Sequence, residues 1–98
     1  MDLKDVKAVV TGGASGLGEA CVRMLAGAGA KAAIFDMAVE RGEKLAAELG
    51  KNVIFVNTDV TNDEGVQSSV ARAVEAFGTI NGAINCAGVG AASKVFSK

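Results

Sequence analysis

A glycine-rich segment near the amino end constrains this chain more than any other feature of its sequence. Residues Thr11 to Gly18 read Thr-Gly-Gly-Ala-Ser-Gly-Leu-Gly, follow a short apolar run and precede a helical pattern. Glycines spaced in this way let the backbone turn sharply and approach a ligand closely. A helix that begins at such a turn directs free N–H groups and its positive dipole end toward the ligand. The segment therefore predicts an anion site suited to a pyrophosphate.

Short apolar runs alternate with amphipathic helical patterns along the rest of the chain. The order β-α-β-α-β-α-β predicts parallel strands joined by right-handed crossovers. We therefore expect an α/β fold, a Rossmann-type parallel sheet with helices on both faces and strand order 3-2-1-4, in one domain over residues 1–98. Strand 4 would keep a free side, so we expect an incomplete doubly wound fold. The predicted strands cover residues 6–10, 31–35, 53–56 and 80–84, and the predicted helices cover residues 16–28, 39–49 and 62–77.

Helical periodicity also predicts which residues each helix buries. The stripe predicted for the first helix consists of Leu17, Cys21, Met24, Leu25 and Ala28. The stripe predicted for the third helix consists of Val66, Val70, Ala73, Val74 and Phe77. A capping-box pattern precedes the third helix and predicts Thr61 as its N-cap, with Glu64 three residues later.

Composition excludes several classes of function. Lysine and arginine total 10 and aspartate and glutamate total 11, so nothing favours a nucleic acid or an anionic membrane as partner. The two cysteines, Cys21 and Cys86, match no metal-binding spacing, so we expect no metal site. The sequence shows no signal or transit segment and no apolar run of membrane-spanning length, and we expect a cytoplasmic protein. It contains no histidine, tyrosine or tryptophan, so the usual proton shuttle and any phenol acid are missing.

Acidic residues at two predicted strand ends indicate what the glycine turn binds. Asp36 ends the second strand, at about the distance from the turn expected of a carboxylate that binds an adenosine ribose. Such a carboxylate would repel a 2′-phosphate, which favours NAD over NADP. The Asp59-Val60 pair follows the third strand, where the carboxylate would reach the adenine amino group and the valine would back the ring. The alternatives are a solvated strand end for Asp36 and simple entry into a capped helix for Asp59.

A P-loop is excluded because the turn lacks the Gly-Lys-Ser/Thr ending that binds phosphates and magnesium in such loops.

Three motifs together resemble the short-chain dehydrogenase/reductase family over essentially the whole chain: Thr11 to Gly18, Asp59-Val60-Thr61, and Asn85-Cys86-Ala87-Gly88. In the last motif, Cys86 replaces the usual second asparagine. The resemblance implies that Ser15 and Leu17 contact the pyrophosphate region, while Gly12, Gly16 and Gly18 shape the turn. It further implies that Asp36 holds the adenosine ribose, that Asp59 and Val60 hold adenine, and that Cys86, Ala87 and Gly88 line the nicotinamide-side ribose, with Asn85 stabilising the sheet.

The same resemblance shows what this chain lacks. The family's catalytic groups are a serine and a Tyr-x-x-x-Lys pair, and this chain has no tyrosine. We therefore assign no catalytic residue and expect the cofactor-binding part of an enzyme that is inactive alone. The parent enzyme would transfer hydride between NAD and a secondary alcohol or ketone, with a 3-hydroxyacyl-CoA as one such substrate. The family also implies a homo-oligomer, and its 3-hydroxyacyl-CoA branch adds the mitochondrial matrix as an alternative location.

Two other classes of function remain open from the residues alone. A methyltransferase-like domain that binds S-adenosylmethionine also uses a glycine turn and acids after strands 2 and 3. A non-catalytic nucleotide-binding module, or a truncation product, would equally lack the tyrosine. The Thr-Gly start of the turn and the Asn85-to-Gly88 segment favour a dinucleotide over S-adenosylmethionine.

Overall fold

Four parallel strands and three helices alternate along the chain in the computed structural model, which describes residues 3–12, 14 and 16–86. Each connection between strands that are consecutive in the sequence contains a helix, because parallel strands need a long crossover connection. A short 3-10 turn at Leu3–Asp5 precedes the first strand. The strands are β1 (Lys7–Thr11), β2 (Lys31–Asp36), β3 (Val53–Asn57) and β4 (Gly82–Asn85), and the helices are α1 (Gly16–Gly27), α2 (Val39–Leu49) and α3 (Asp63–Phe77).

The sheet order is β3-β2-β1-β4, with every pair parallel, so the predicted Rossmann-type topology is confirmed. Residues of β1 and β2 alternate between two cores, one on each face of the sheet. Val10 and Ile34 belong to the core that also contains Val22 of α1 and Leu45 of α2. The opposite core packs α3 against the sheet and consists of Val9, Ala33, Phe35, Val56, Ala73 and Phe77.

The fourth strand is shorter and later than predicted, because Asn81 is used in another way. Its side-chain oxygen accepts a hydrogen bond from the Lys7 backbone N–H at 2.8 Å, and its side-chain nitrogen donates to the Asp5 carbonyl at 2.9 Å. The amide side chain therefore secures the start of β1, and the β4 ladder begins at Gly82.

The face predicted to be buried in α1 is wrong in part: Leu25 is buried as predicted and Cys21 and Ala28 are half-buried, but two members of the stripe are exposed. Leu17 is 72% exposed and Met24 57% exposed, whereas Gly18, Val22 and Leu25 are the buried residues of the helix. The physical reason is the position of α1 in the sheet order. On one flank of the helix Arg23 pairs with Glu48 of α2, and the exposed Leu17 and Met24 lie on the other flank, away from α2. No strand lies beyond β4 among the described residues, and the outer part of the stripe stays uncovered.

The predicted cap of α3 is also wrong, by one residue. The N-cap is Asn62, whose side chain accepts a hydrogen bond from the Gly65 N–H at 2.9 Å. Thr61 lies one residue earlier and instead closes a turn with Asp59, because its N–H and hydroxyl both donate to the Asp59 carboxylate, at 3.0 and 2.6 Å.

The buried face of α3 likewise differs in part from the predicted stripe. Ala73 and Phe77 are buried as expected, but Ser69 is the third buried residue. Val74 remains 38% exposed, and Val66 and Val70 are half-buried. A hydroxyl is tolerated at this buried position because Ser69 shares a 2.7 Å hydrogen bond with Thr58.

Replacing the observed cap tests this boundary. We expect Asn62→Ala to lower the free energy of unfolding by about 1 kcal/mol, because the Gly65 N–H loses its acceptor. Thr61→Ala is the matched control and should cost less than about 0.5 kcal/mol, as is usual for exposed positions. Urea unfolding followed by circular dichroism measures both, and a larger cost for Thr61→Ala would contradict the assigned cap.

Gly42 in α2 is required for contact with the sheet rather than for an unusual backbone angle. It is buried, and a Cβ at this position would overlap the ring of Phe55 on β3. We expect Gly42→Ala to destabilise the chain by about 1 to 3 kcal/mol, since the ring must shift. At Gly27 in α1 a Cβ meets nothing within 4 Å, so Gly27→Ala should instead stabilise by roughly 0.5 kcal/mol. Equal effects in urea unfolding would contradict this packing.

Candidate functional site

The carboxyl ends of the parallel strands meet at one edge of the sheet, where the glycine turn also begins. Gly12 follows β1 directly with φ of 69°, a left-handed conformation that glycine adopts without steric cost. Its N–H donates to the Phe35 carbonyl of β2 at 2.8 Å. The chain therefore leaves β1 in a sharp turn across the end of β2, which brings the glycine segment next to Asp36.

Asp36 is the residue on which this edge is organised. One carboxylate oxygen accepts the Ala14 N–H of the glycine turn at 3.1 Å, and the other accepts the Ala38 N–H ahead of α2 at 3.0 Å. Its own carbonyl accepts the Thr58 N–H at 3.0 Å. A single acid thus connects the glycine turn, the start of α2 and the end of β3. The contact with Ala14 was not predicted, since no sequence motif signals a bond from a side chain to that backbone amide.

A cleft of about 140 Å³ lies at this edge. The structure brings together three of the predicted site residues there, Gly12, Asp36 and Val60, although they lie at or after the ends of three different strands. Sequence reasoning missed the other lining residues, Phe35, Met37 and Thr58. Their positions carried a usable signal, because each is adjacent in sequence to a predicted site residue or strand end.

Asp59 is not among the residues that line this cleft. Its carboxylate is exposed, and hydrogen bonds from the Thr61 hydroxyl and N–H lower its pKa below the ordinary aspartate value. The role of Asp59 at adenine therefore stays a prediction. Ser15, Ala87 and Gly88 lie outside the described residues, and their roles stay predictions as well.

The start of α1 holds the remaining residues predicted from the glycine motif. Gly18 is buried against the sheet, a position where glycine permits close packing of helix and strand. Gly16 is exposed, with open space where a Cβ would be, and Leu17 extends into solvent. This end of the helix is thus open for a ligand at its first turn.

A hydrogen-bonded pair supports the fourth strand at the same edge. The buried Thr11 hydroxyl donates to the Asn85 side-chain oxygen at 3.1 Å, and its backbone carbonyl accepts the Cys86 N–H at 2.9 Å. Asn85 therefore contacts the sheet, in agreement with the stabilising role implied by the family resemblance. Cys86 follows β4 directly and is half-buried.

Other clefts in the described part of the chain are larger. One of about 570 Å³ lies beside the end of β3, where Val39, Asn57 and Arg72 are among its lining residues. Another, of about 230 Å³ between α1 and α2, is lined by Arg41 and Lys44, and also by Arg23, which pairs with Glu19 at 2.8 Å and with Glu48 at 2.7 Å. Hydrogen bonds with Glu48 and then Glu19 raise the pKa of the Arg23 guanidinium, and the same bond lowers the pKa of Glu48. This network holds the two helices together, so we place the candidate cofactor site at the strand ends.

The described residues show no further site of two common kinds. Within residues 3–12, 14 and 16–86, cysteine, aspartate and glutamate side chains form no group of three or more that would hold a metal ion. Over those same positions, no helix has both the length and the apolar character needed to cross a membrane.

Comparisons with known proteins agree with this geometry. Human 3-hydroxyacyl-CoA dehydrogenase type-2 is 44% identical over 95 residues, which cover 97% of this chain and 36% of that protein. A crystal structure of 3-hydroxyacyl-CoA dehydrogenase type-2 from Mycobacterium avium superposes with a TM-score of 0.78 at 40% identity, over 86% of this chain and 33% of that chain. The crystal structure of a 3-ketoacyl-(acyl-carrier-protein) reductase from Brucella melitensis in complex with NADH superposes with a TM-score of 0.80 at 31% identity. That match covers 83% of this chain and 34% of the reductase chain.

These relatives are much longer than the chain described here, which spans 36% of the human protein. The match nevertheless extends over nearly all of this chain and includes the glycine turn, Asp36 and the end of β4. A family model described as short chain dehydrogenase covers residues 6–98. The chain therefore belongs to the short-chain dehydrogenase family.

Proposed function

We propose that this chain is the NAD-binding portion of an oxidoreductase that transfers hydride between NAD and a secondary alcohol or ketone. The observation that carries the proposal is the cleft at the strand ends, which Gly12, Asp36 and Val60 line together. Family membership supports a nicotinamide cofactor, and a related structure contains NADH. A 3-hydroxyacyl-CoA is the proposed substrate class of the whole protein, because similar proteins carry that name.

The chemistry of the cleft fits the adenosine half of the cofactor. Met37 and Val60 supply apolar walls for a flat base. Each Asp36 carboxylate oxygen accepts one backbone N–H, and a carboxylate oxygen has two lone pairs. Both oxygens therefore retain capacity to accept hydrogen bonds from the two ribose hydroxyls, while the backbone bonds hold the carboxylate in place.

The same carboxylate favours NAD over NADP. A 2′-phosphate placed at Asp36 would set two negative groups side by side, which is unfavourable without a compensating cation. Arg41 and Lys44 line the cleft between α1 and α2 and are not among the residues that line the cleft of Asp36. We therefore propose NAD as the cofactor.

The pyrophosphate is assigned to the glycine turn and the first turn of α1. The helix start at Gly16 presents backbone amides and the positive end of the helix dipole at this edge, and the left-handed Gly12 turns the chain out of β1 there. Ser15 and Leu17 complete the proposed contact. When bound, the cofactor supplies the ring that accepts or donates hydride, and the chain's own residues bind and orient it.

The family resemblance assigns acid–base chemistry to a Tyr-x-x-x-Lys pair, and this chain has no tyrosine. The sequence has no tyrosine and no histidine, so no side chain with a phenol or imidazole is available to exchange a proton with the substrate. We propose that the 98-residue chain binds cofactor without turning over substrate. Formation of NADH from NAD and a 3-hydroxyacyl-CoA, followed by absorbance, would contradict that part of the proposal.

Equilibrium binding tests the cofactor assignment. Isothermal titration of the chain with NAD, NADP and S-adenosylmethionine should give the highest affinity for NAD, by roughly tenfold or more over NADP, since one uncompensated charge contact is worth over 1 kcal/mol. Tighter binding of S-adenosylmethionine would reverse the proposal in favour of a methyltransferase-like domain. Absence of all binding by a chain that is folded by circular dichroism would also refute it.

A further inference from the structure

A pair of buried hydroxyl groups links α3 to the end of β3. The Thr58 hydroxyl donates to the Val56 carbonyl at 2.8 Å, and its oxygen lies 2.7 Å from the hydroxyl oxygen of Ser69. Both residues are buried, so solvent has little access to either group. A hydroxyl in such a place is costly unless it is hydrogen bonded, and each member of this pair meets that need for the other.

Ser69 is the donor in the bond between the two hydroxyls. A carbonyl oxygen only accepts, so the bond to Val56 uses the single hydroxyl proton of Thr58. The proton between Thr58 and Ser69 must therefore come from Ser69, and the Thr58 oxygen accepts it with a lone pair. Without the Ser69 hydroxyl, the Thr58 side chain would be bonded to its own strand alone.

Thr58 connects this pair to the candidate cofactor site. It lines the cleft of about 140 Å³ together with Asp36, and its N–H donates to the Asp36 carbonyl at 3.0 Å. The Asp36 carboxylate in turn accepts the Ala14 N–H of the glycine turn at 3.1 Å. A series of hydrogen-bonded residues therefore runs from Ser69 in α3 through Thr58 and Asp36 to the glycine turn.

Ser69 itself lies outside the cofactor cleft. It is not among the residues that line the cleft of Asp36, and it lines instead the cleft of about 570 Å³ beside the end of β3. Any effect of its hydroxyl on a ligand at Asp36 must therefore pass through Thr58. Helix formation alone does not favour serine here, because serine has a lower helix propensity than alanine.

We infer that Ser69 is a positioning residue for the cofactor site, which acts through Thr58 on Asp36. The inference rests on the proposed function, in which Asp36 binds the adenosine ribose of NAD. The bond from Ser69 holds the Thr58 side chain in place, so the Thr58 N–H stays directed at the Asp36 carbonyl before the ligand arrives. A site that is ordered in advance loses less conformational freedom on binding, which raises its affinity.

Isothermal titration of the 98-residue chain with NAD tests this role. We expect Ser69→Ala to lower the affinity by about threefold to tenfold, the range that one hydrogen bond supplies. The melting temperature should change by less than about 4 °C, because the gain in helix propensity offsets the lost bond. Ser68→Ala is the matched control, since Ser68 is exposed and lines the same larger cleft, and it should change the affinity by less than about twofold. Equal effects of the two substitutions would overturn the inference.

Variants at Thr58 show whether Ser69 acts through it. Thr58→Val removes the hydroxyl with little change in volume, so in that background Ser69→Ala should change the affinity for NAD by less than about twofold. Thr58→Ser keeps the hydroxyl, and in that background Ser69→Ala should again cost about threefold to tenfold. An undiminished loss in the Thr58→Val background would overturn the inference, because Ser69 would then act by another route.

Amide hydrogen exchange of the ligand-free chain separates this inference from the cofactor proposal. Ser69→Ala should speed exchange of the Thr58 amide, which donates to Asp36, by about threefold to tenfold, and leave the Ala73 amide of the same helix unchanged. No change at Thr58, or the same change at both amides, would overturn the inference. A wild-type chain that binds no NAD would refute the proposed function, and the exchange comparison would still decide whether Ser69 holds Thr58 against Asp36.

Discussion

The substitution Asp36→Asn lowers the affinity of the chain for NAD by roughly tenfold to a hundredfold, as measured by isothermal titration. The carboxylate is the group proposed to accept both ribose hydroxyls, and it also accepts the N–H groups of Ala14 and Ala38. An asparagine side chain retains one acceptor oxygen and presents donors where the second oxygen stood. The variant therefore loses ribose contacts and part of the support for the glycine turn.

A second measurement separates these two losses. Asp36→Asn should narrow the difference in affinity between NAD and NADP, because the repulsion of a 2′-phosphate disappears, whereas a purely structural defect would weaken both cofactors equally. Asp5→Asn is the matched control, since Asp5 is exposed and precedes β1 at the opposite edge of the sheet. An NAD affinity unchanged by Asp36→Asn in a folded chain would contradict the assignment of Asp36.

The largest effect on stability is expected at Phe35. Its ring is fully buried between β2 and α3, with Ala73 and Phe77 in the same core. We expect Phe35→Ala to cost about 3 to 5 kcal/mol, because the substitution removes buried apolar surface and leaves a cavity. A domain of this size has only about 5 to 15 kcal/mol of stability, so much of the population should unfold under mild denaturant.

Met24→Ala is the matched control for this prediction. Met24 is 57% exposed on the uncovered flank of α1, and its truncation should cost less than about 1 kcal/mol. Urea unfolding of both variants, monitored by circular dichroism, gives the comparison. A cost for Met24→Ala equal to that for Phe35→Ala would contradict the assigned core and would restore the stripe first predicted for α1.

The order of elements was predictable because hydrophobic periodicity is a local signal. β-Branched and apolar runs such as Val53 to Val56 and the repeating apolar positions of α2 identify their elements without reference to the rest of the fold. Once strands and helices alternate, parallel pairing and the order 3-2-1-4 follow from general rules of chain connection. The observed sheet confirms that inference.

The details that failed depend on contacts between distant residues. Leu17 and Met24 have the spacing of a buried stripe, but they are exposed, because which flank of α1 is covered depends on the neighbouring elements and periodicity within the helix does not report it. The cap of α3 is Asn62, whose side chain accepts the Gly65 N–H, while Thr61 belongs to the turn closed by the Asp59 carboxylate. In each case the type of local structure was predicted correctly. Contacts with the rest of the fold decided which residues are buried and which residue caps the helix.

The candidate site also has some features that were predictable from the sequence and others that were not. Gly12 and Asp36 were identified from residue type and position at strand ends, and the structure places both at one cleft. The bond from the Ala14 N–H to Asp36 was not predictable, because it depends on how the turn folds back over β2. Met37 was also missed, although an apolar residue directly after the strand-end acid is well placed to contact a base.

The central claim is that NAD binds at the edge where the carboxyl ends of the strands meet. Titration of the 15N-labelled chain with NAD, followed by two-dimensional NMR, tests that claim most directly. We expect the largest shift changes at backbone amides of residues 12–18, Asp36, Met37 and Val60, and little change at α3 residues such as Glu75. Changes confined to the cleft between α1 and α2 around Arg41 and Lys44, or no saturable change in a folded chain, would contradict the account.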